Sequence, residues 1–173
     1  WPSTSTAGSG CSSAARTDGV PVMTRSSFSA PVPHPQALPV TTHSYLARAA
    51  ESLSEAMATP EVPARYAGAH VSALRSAAAL LSARARPAGP RRRAQKNAWV
   101  LLAEVTPELA EWATFFSAGA AKRAAAEAGS SRAVTEREAD DLVRDADRFL
   151  AVVEQCLGLV PHPPLQERIA RAG

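Results

Sequence analysis

From Ser44 to Gly158 the apolar residues recur at steps of three and four, and no stretch alternates with the period of two that a half-buried strand requires. That periodicity constrains the fold more than any other feature of the chain. Leu46, Ala50, Leu53 and Met57 form one stripe, and Tyr66, His70, Leu74, Ala77 and Leu81 a second. Leu109, Trp112, Phe116 and Ala120 form a third, and Leu142, Ala146, Phe149 and Val153 a last. Each stripe has to be covered by another, so the fold class expected is all-α, a four-helix bundle.

The helix boundaries follow from capping chemistry. Thr42, His43 and Ser44 offer capping groups before the first stripe, and Thr59-Pro60-Glu61-Val62-Pro63 closes it. A second helix is predicted from about Ala64 to Ala85, broken by Arg86-Pro-Ala-Gly-Pro90. A third starts near Ala94. Within it Pro107 removes a backbone donor, while Thr106-Pro107-Glu108 reads as cap, first-turn proline and first-turn acid, so a kink or restart is expected there. Gly129 is a stop, Thr135 with Glu138 a capping box, and Gly158 with Pro161 the end of the last helix.

Three regions result: a disordered Ser/Thr/Pro-rich tail over 1–42, a bundle over 43–158 and a C-terminal tail over 159–173. The first region has too little apolar material to offset the entropy of ordering, and Met23 within it is a candidate start. Cys11 in the tail and Cys156 near a helix end do not suggest a disulfide, which fits a reducing, cytoplasmic setting. The longest apolar run, Ala98 to Ala103, falls short of the roughly 20 residues of a membrane helix, so no membrane partner is expected. The formal charge is only +3 despite a pI near 9.3. Arginine-rich, alanine-rich composition also arises from GC-rich coding, so charge alone is weak evidence for an anionic partner.

Arg65-Tyr-Ala-Gly-Ala-His70, a basic stretch, the helix Trp99-Val-Leu-Leu-Ala-Glu-Val-Thr-Pro-Glu-Leu-Ala-Glu-Trp112 and Thr135-Glu-Arg-Glu-Ala-Asp-Asp-Leu-Val143 follow one another in an order that resembles a small actinobacterial family of HEPN domains, over about Ser44 to Gly158. The resemblance implies a helical bundle that commonly forms a homodimer and associates with RNA or nucleotide. Its active members are metal-independent ribonucleases with Arg, four to six residues, then His. On that pattern Arg65 would hold the scissile phosphate and His70 serve as acid or base toward the ribose hydroxyl, with no cofactor and no metal. In such enzymes the motifs of two subunits meet in one cleft.

The residues admit other readings. Five helical steps set Arg65 and His70 about 140° apart and about 7.5 Å along the axis, so convergence on one phosphate needs an irregular first turn or a partner subunit. His70 also sits in the apolar stripe with Tyr66 and Leu74, the place of a packed core histidine, which would leave Arg65 a solvated first-turn residue. Arg84, Arg86, Arg91, Arg92, Arg93 and Lys96 cluster between two helices, suited either to a phosphate backbone or to the C-terminal end of the second helix. Glu136, Glu138, Asp140 and Asp141 fall where a helix start favours negative charge and do not require a metal. Trp99, Trp112, Phe115 and Phe116 have packing rather than base-stacking spacing.

Three functions follow: an RNA- or nucleotide-associated binding module, a metal-independent ribonuclease, and a protein-interaction bundle. A basic cleft joining Arg65 and His70 to Arg91 would favour the first two; an exposed apolar patch with a buried histidine would favour the third. If Arg91, Arg92 and Arg93 contact phosphates, replacing all three flattens the salt dependence of RNA affinity by roughly 0.7 per lost contact on a single strand. Titrations at several salt concentrations measure that slope, and an unchanged slope makes the cluster a solvated loop.

Overall fold

The computed structural model describes residues 37–84, 96–165, 167 and 170. Among them six α-helices and one 3₁₀ turn follow one another without a strand. They are α1 (Val40–Ala58), α2 (Val62–Arg84), α3 (Ala98–Val105), the turn Pro107–Leu109, α4 (Ala110–Ala118), α5 (Ala120–Glu127) and α6 (Glu136–Cys156). The chain is all-α. Long helices α1, α2 and α6 supply three members of the bundle, and the broken run α3 to α5 supplies the fourth.

Helix α2 lies against α1, α3, α5 and α6. It can do so because its buried positions are mostly small: Ala69, Ser72, Ala73, Ser76, Ala77 and Ala79. Small side chains let helix axes approach closely, and at Gly68 a Cβ would come within 3.0 Å of the Ala56 Cβ on α1. Buried hydroxyls need partners there. Ser72 donates to the Ala49 carbonyl at 2.8 Å, and Ser76 to the carbonyl of Ser72 at 2.9 Å.

Helix α1 begins earlier than the capping residues suggest. Thr42 is fully buried, its hydroxyl 2.8 Å from that of Ser82 on α2, and Pro39 stands at the N-cap with its carbonyl accepting the Thr42 N–H at 2.9 Å. The boundary drawn at 42/43 therefore falls inside a helix. The bundle also continues past 158, because Leu165 is buried in the core. Residues 1–36 of the expected tail lie outside the described residues.

The third predicted helix is three. Asn97 accepts the Trp99 N–H at 3.0 Å and starts α3 at Ala98. Pro107 ends that helix, but Thr106 does not cap the turn: its buried hydroxyl accepts from Arg84 at 3.0 Å. The chain breaks again at Gly119, where a Cβ would stand 3.0 Å from the Tyr66 hydroxyl and 3.4 Å from the His70 ring. Helix α6 opens on the expected capping box of Thr135 and Glu138. Gly129 (φ 83°) and Gly158 (φ 73°) end α5 and α6 in the left-handed region that glycine occupies at little cost.

These breaks gather the aromatic residues. Phe116 is fully buried, stacked between Trp99 (ring centroids 5.2 Å apart) and Trp112 (5.9 Å), with Phe149 of α6 at 5.1 Å. Offset stacks of this kind add to the free energy of burial. Phe116→Ala is expected to cost about 3–5 kcal/mol, read as a lower urea midpoint with unchanged slope.

Candidate functional site

Arg65 and His70 rise from one helix and acquire separate partners. Arg65, in the first turn of α2, donates from Nη1 to Asp140 of α6 at 2.5 Å. Its Nε and Nη2 donate to the carbonyls of Thr59 and Pro60, each at 3.2 Å. The guanidinium thus ties the α1–α2 turn to the start of α6. Pro60 and Pro63 leave those turn carbonyls without helical donors, which Arg65 supplies.

His70 is 1 % exposed. Its ring meets Trp99 and Phe116 edge-on, at 5.9 and 6.0 Å. Nε2 lies 2.9 Å from the Phe116 carbonyl, an acceptor only, so Nε2 carries the proton and donates. Nδ1 is buried without a hydrogen-bond partner. An imidazolium would need a second acceptor there, and burial pushes the His70 pKa below its usual 6.5, against the pull of the Phe116 carbonyl and with the Arg123 guanidinium adding to the fall. The ring is neutral and holds the end of α4 against α2. The described fold joins His70 to the Phe116 carbonyl and Arg65 to Asp140, so the two side chains have separate partners.

Of the expected nucleic-acid-binding residues, Arg86, Arg91, Arg92 and Arg93 lie outside the described residues. Lys96 is described, and its ammonium is taken by Glu104 at 2.6 and 2.8 Å. Arg84, at the end of α2, is likewise taken by Thr106 and Glu108, both at 3.0 Å.

An open concavity lies beside α6. A groove of about 520 Å³ runs between α6 and the α4–α5 corner, with Tyr66 of α2 and Leu142 at its apolar wall. Phe115, 46 % exposed, stands in it edge-on to Phe116 at 5.1 Å, so one of the four aromatics expected in the core faces outward. Around it three cations and three carboxylates form pairs. Lys122 bonds Glu138, Arg144 bonds Asp141, and Arg148 lies 3.4 Å from Asp145. The Lys122 ammonium, helped by the Thr135 backbone and hydroxyl, pulls Glu138 down to about 2. Burial, with Asp141 nearby, pushes Asp145 up against the pull of Arg148.

Sequence reasoning passed over this groove. The spacings Asp141/Arg144 and Asp145/Arg148 are legible as helix-surface pairs. Their role as a wall depends on α4 and α5 turning at Gly119. Among the described residues no group of His, Cys, Asp or Glu could hold a metal ion, and no helix is long and apolar enough to cross a membrane.

A broken four-member bundle around a small-residue central helix defines the class as an all-α helical-bundle domain. A family model described as SAV_6107-like HEPN matches residues 56–154, and the chain belongs to that family. No curated protein and no solved structure matches the chain significantly.

A neutral buried histidine makes acid conditions costly. Its folded-state pKa is depressed, so its contribution is complete above the unfolded value of about 6.5 and is lost as pH falls below it, where the unfolded chain takes up the proton. The His70 contribution is read as the difference in Tm between the wild type and His70→Gln, which keeps an amide donor without titrating: the variant should melt lower at pH 7.5, and the difference should shrink as pH falls to 5.

Proposed function

We propose that this HEPN bundle acts by binding a protein surface, first of all a second copy of itself, through the groove around Phe115. The observation that carries the reading is charge balance: three cations and three carboxylates surround one exposed aromatic ring. A polyanion would gain from unpaired cations, whereas an isologous contact presents the same patch twice and needs both signs on it. Exposed Phe115 supplies the apolar centre that such contacts are built on. The buried His70 and the three hydrogen bonds of Arg65 support a role in holding the fold.

RNA or nucleotide binding is the second reading. It rests on the sequence cluster Arg86, Arg91, Arg92, Arg93 and Lys96, the last in an exposed pair with Glu104 that an anion could displace, and on membership of the family. The ribonuclease alternative with Arg65 and His70 would need both side chains released from their present partners.

Light scattering of the full chain over a hundredfold concentration range should show a discrete dimer, with Phe115→Glu raising its Kd tenfold or more, about 1.4 kcal/mol. A monomer throughout overturns the self-pairing reading. Purified protein in EDTA is expected to leave RNA intact. Cleavage that persists in EDTA and disappears in folded His70→Ala and Arg65→Ala would replace binding by catalysis.

A further inference from the structure

Beyond α6 the chain turns back through Gly158, whose neighbour Leu159 donates to the Glu154 carbonyl at 2.9 Å. The returning segment, residues 159–165, lies beyond the 56–154 stretch that the family model covers. It is fastened to α6 through one side chain. His162 places Nε2 3.0 Å from Asp147 Oδ1 and Nδ1 2.8 Å from Glu154 Oε2, and its backbone N–H donates to the same Glu154 oxygen at 2.8 Å. Three residues on, the Leu165 N–H donates to Asp147 Oδ2 at 3.0 Å, and the Leu165 side chain is buried.

Asp147 and Glu154 are seven residues apart, about two turns, and so share one face of the helix. Carboxylates only accept. A neutral imidazole has one N–H, so with the proton lost one ring nitrogen would direct its lone pair at a carboxylate oxygen. Both contacts are favourable only for the imidazolium. The Asp147 side chain is just 5 % exposed, so water cannot readily replace a donor withdrawn from it.

We propose that His162 is a proton-operated latch: the imidazolium clamps residues 159–165 along α6, and its deprotonation frees the segment and withdraws Leu165 from the core. The hydrogen bond to Asp147 raises the His162 pKa, burial opposes it, and Glu154 raises it further. The sign follows. A base whose folded-state pKa is raised contributes fully below the unfolded value of 6.5 and loses that contribution as pH rises through the raised value. The latch is closed in acid and opens toward alkaline pH, opposite in direction to His70. Among the described residues, the charged groups that bond the ring are Asp147 and Glu154. Glu167, further along the segment, is exposed, as are His43, Arg48, Glu51 and Glu55 of α1, which also packs on α6.

The test follows His162 in the full chain by NMR while amide exchange at Leu165 is read across the same pH range, corrected for base catalysis. The imidazole should titrate above 6.5, and Leu165 opening should increase through that titration by up to about tenfold per pH unit. His162→Gln should leave opening independent of pH and already raised at neutrality. Glu154→Gln, at a partly exposed site, should lower the His162 pKa in a protein that stays folded. Titration at or below 6.5, or Leu165 protection that does not change as His162 titrates, overturns the latch.

Discussion

Everything in this molecule is arranged by the burial of α2 against four other helices. A helix covered on so many sides cannot carry large side chains all round, and α2 meets the demand with alanine, serine and glycine. Close approach then leaves few places for bulk, and the aromatic residues come from the broken run beside it. Trp99, Trp112 and Phe116 fill the space that small residues on α2 leave toward α6 and its Phe149. Tyr66, His70 and Leu80 are the large side chains buried on α2, and the polar ring of His70 is admitted because one backbone carbonyl, that of Phe116, completes its donor.

Two histidines occupy opposite electrostatic situations in one small domain. His70 is surrounded by rings and given one acceptor, so the neutral form is the only one its site accommodates. His162 is given two carboxylates, which favour its charged form. Burial acts against protonation in both; the number of acceptors within reach decides the outcome. Arg65 illustrates the same accounting for a permanent cation, because two turn carbonyls and Asp140 take three of the five donors of its guanidinium, one from each nitrogen.

Local chemistry was legible where it acts over a few residues. The capping box at Thr135, the stops at Gly129 and Gly158, and the interruption at Pro107 all depend on dihedral preference or on a donor within three residues. Thr42 and Thr106 were misjudged for a common reason. Each looks like a cap by position, yet each hydroxyl is taken by a residue distant in sequence, Ser82 and Arg84. Phe115 and Phe116 are adjacent, and the stripe through Leu109, Trp112 and Phe116 already sets Phe116 inward, but that Phe115 opens into a groove depends on the packing of α4 and α5 against α6.

The sequence by itself determined the helical class, the resemblance to HEPN domains and most helix ends, because periodicity and capping are properties of neighbouring residues. The fate of the Arg65 and His70 pair, the groove at Phe115 and the His162 clamp were decided by tertiary structure alone. Each depends on groups 8 to 75 residues apart in the chain reaching hydrogen-bond distance, or on two helices turning at Gly119 where a methyl group would not fit. A spacing of Arg, four residues and His states which side chains are available; whether they face a substrate or a carbonyl is set by what packs against them.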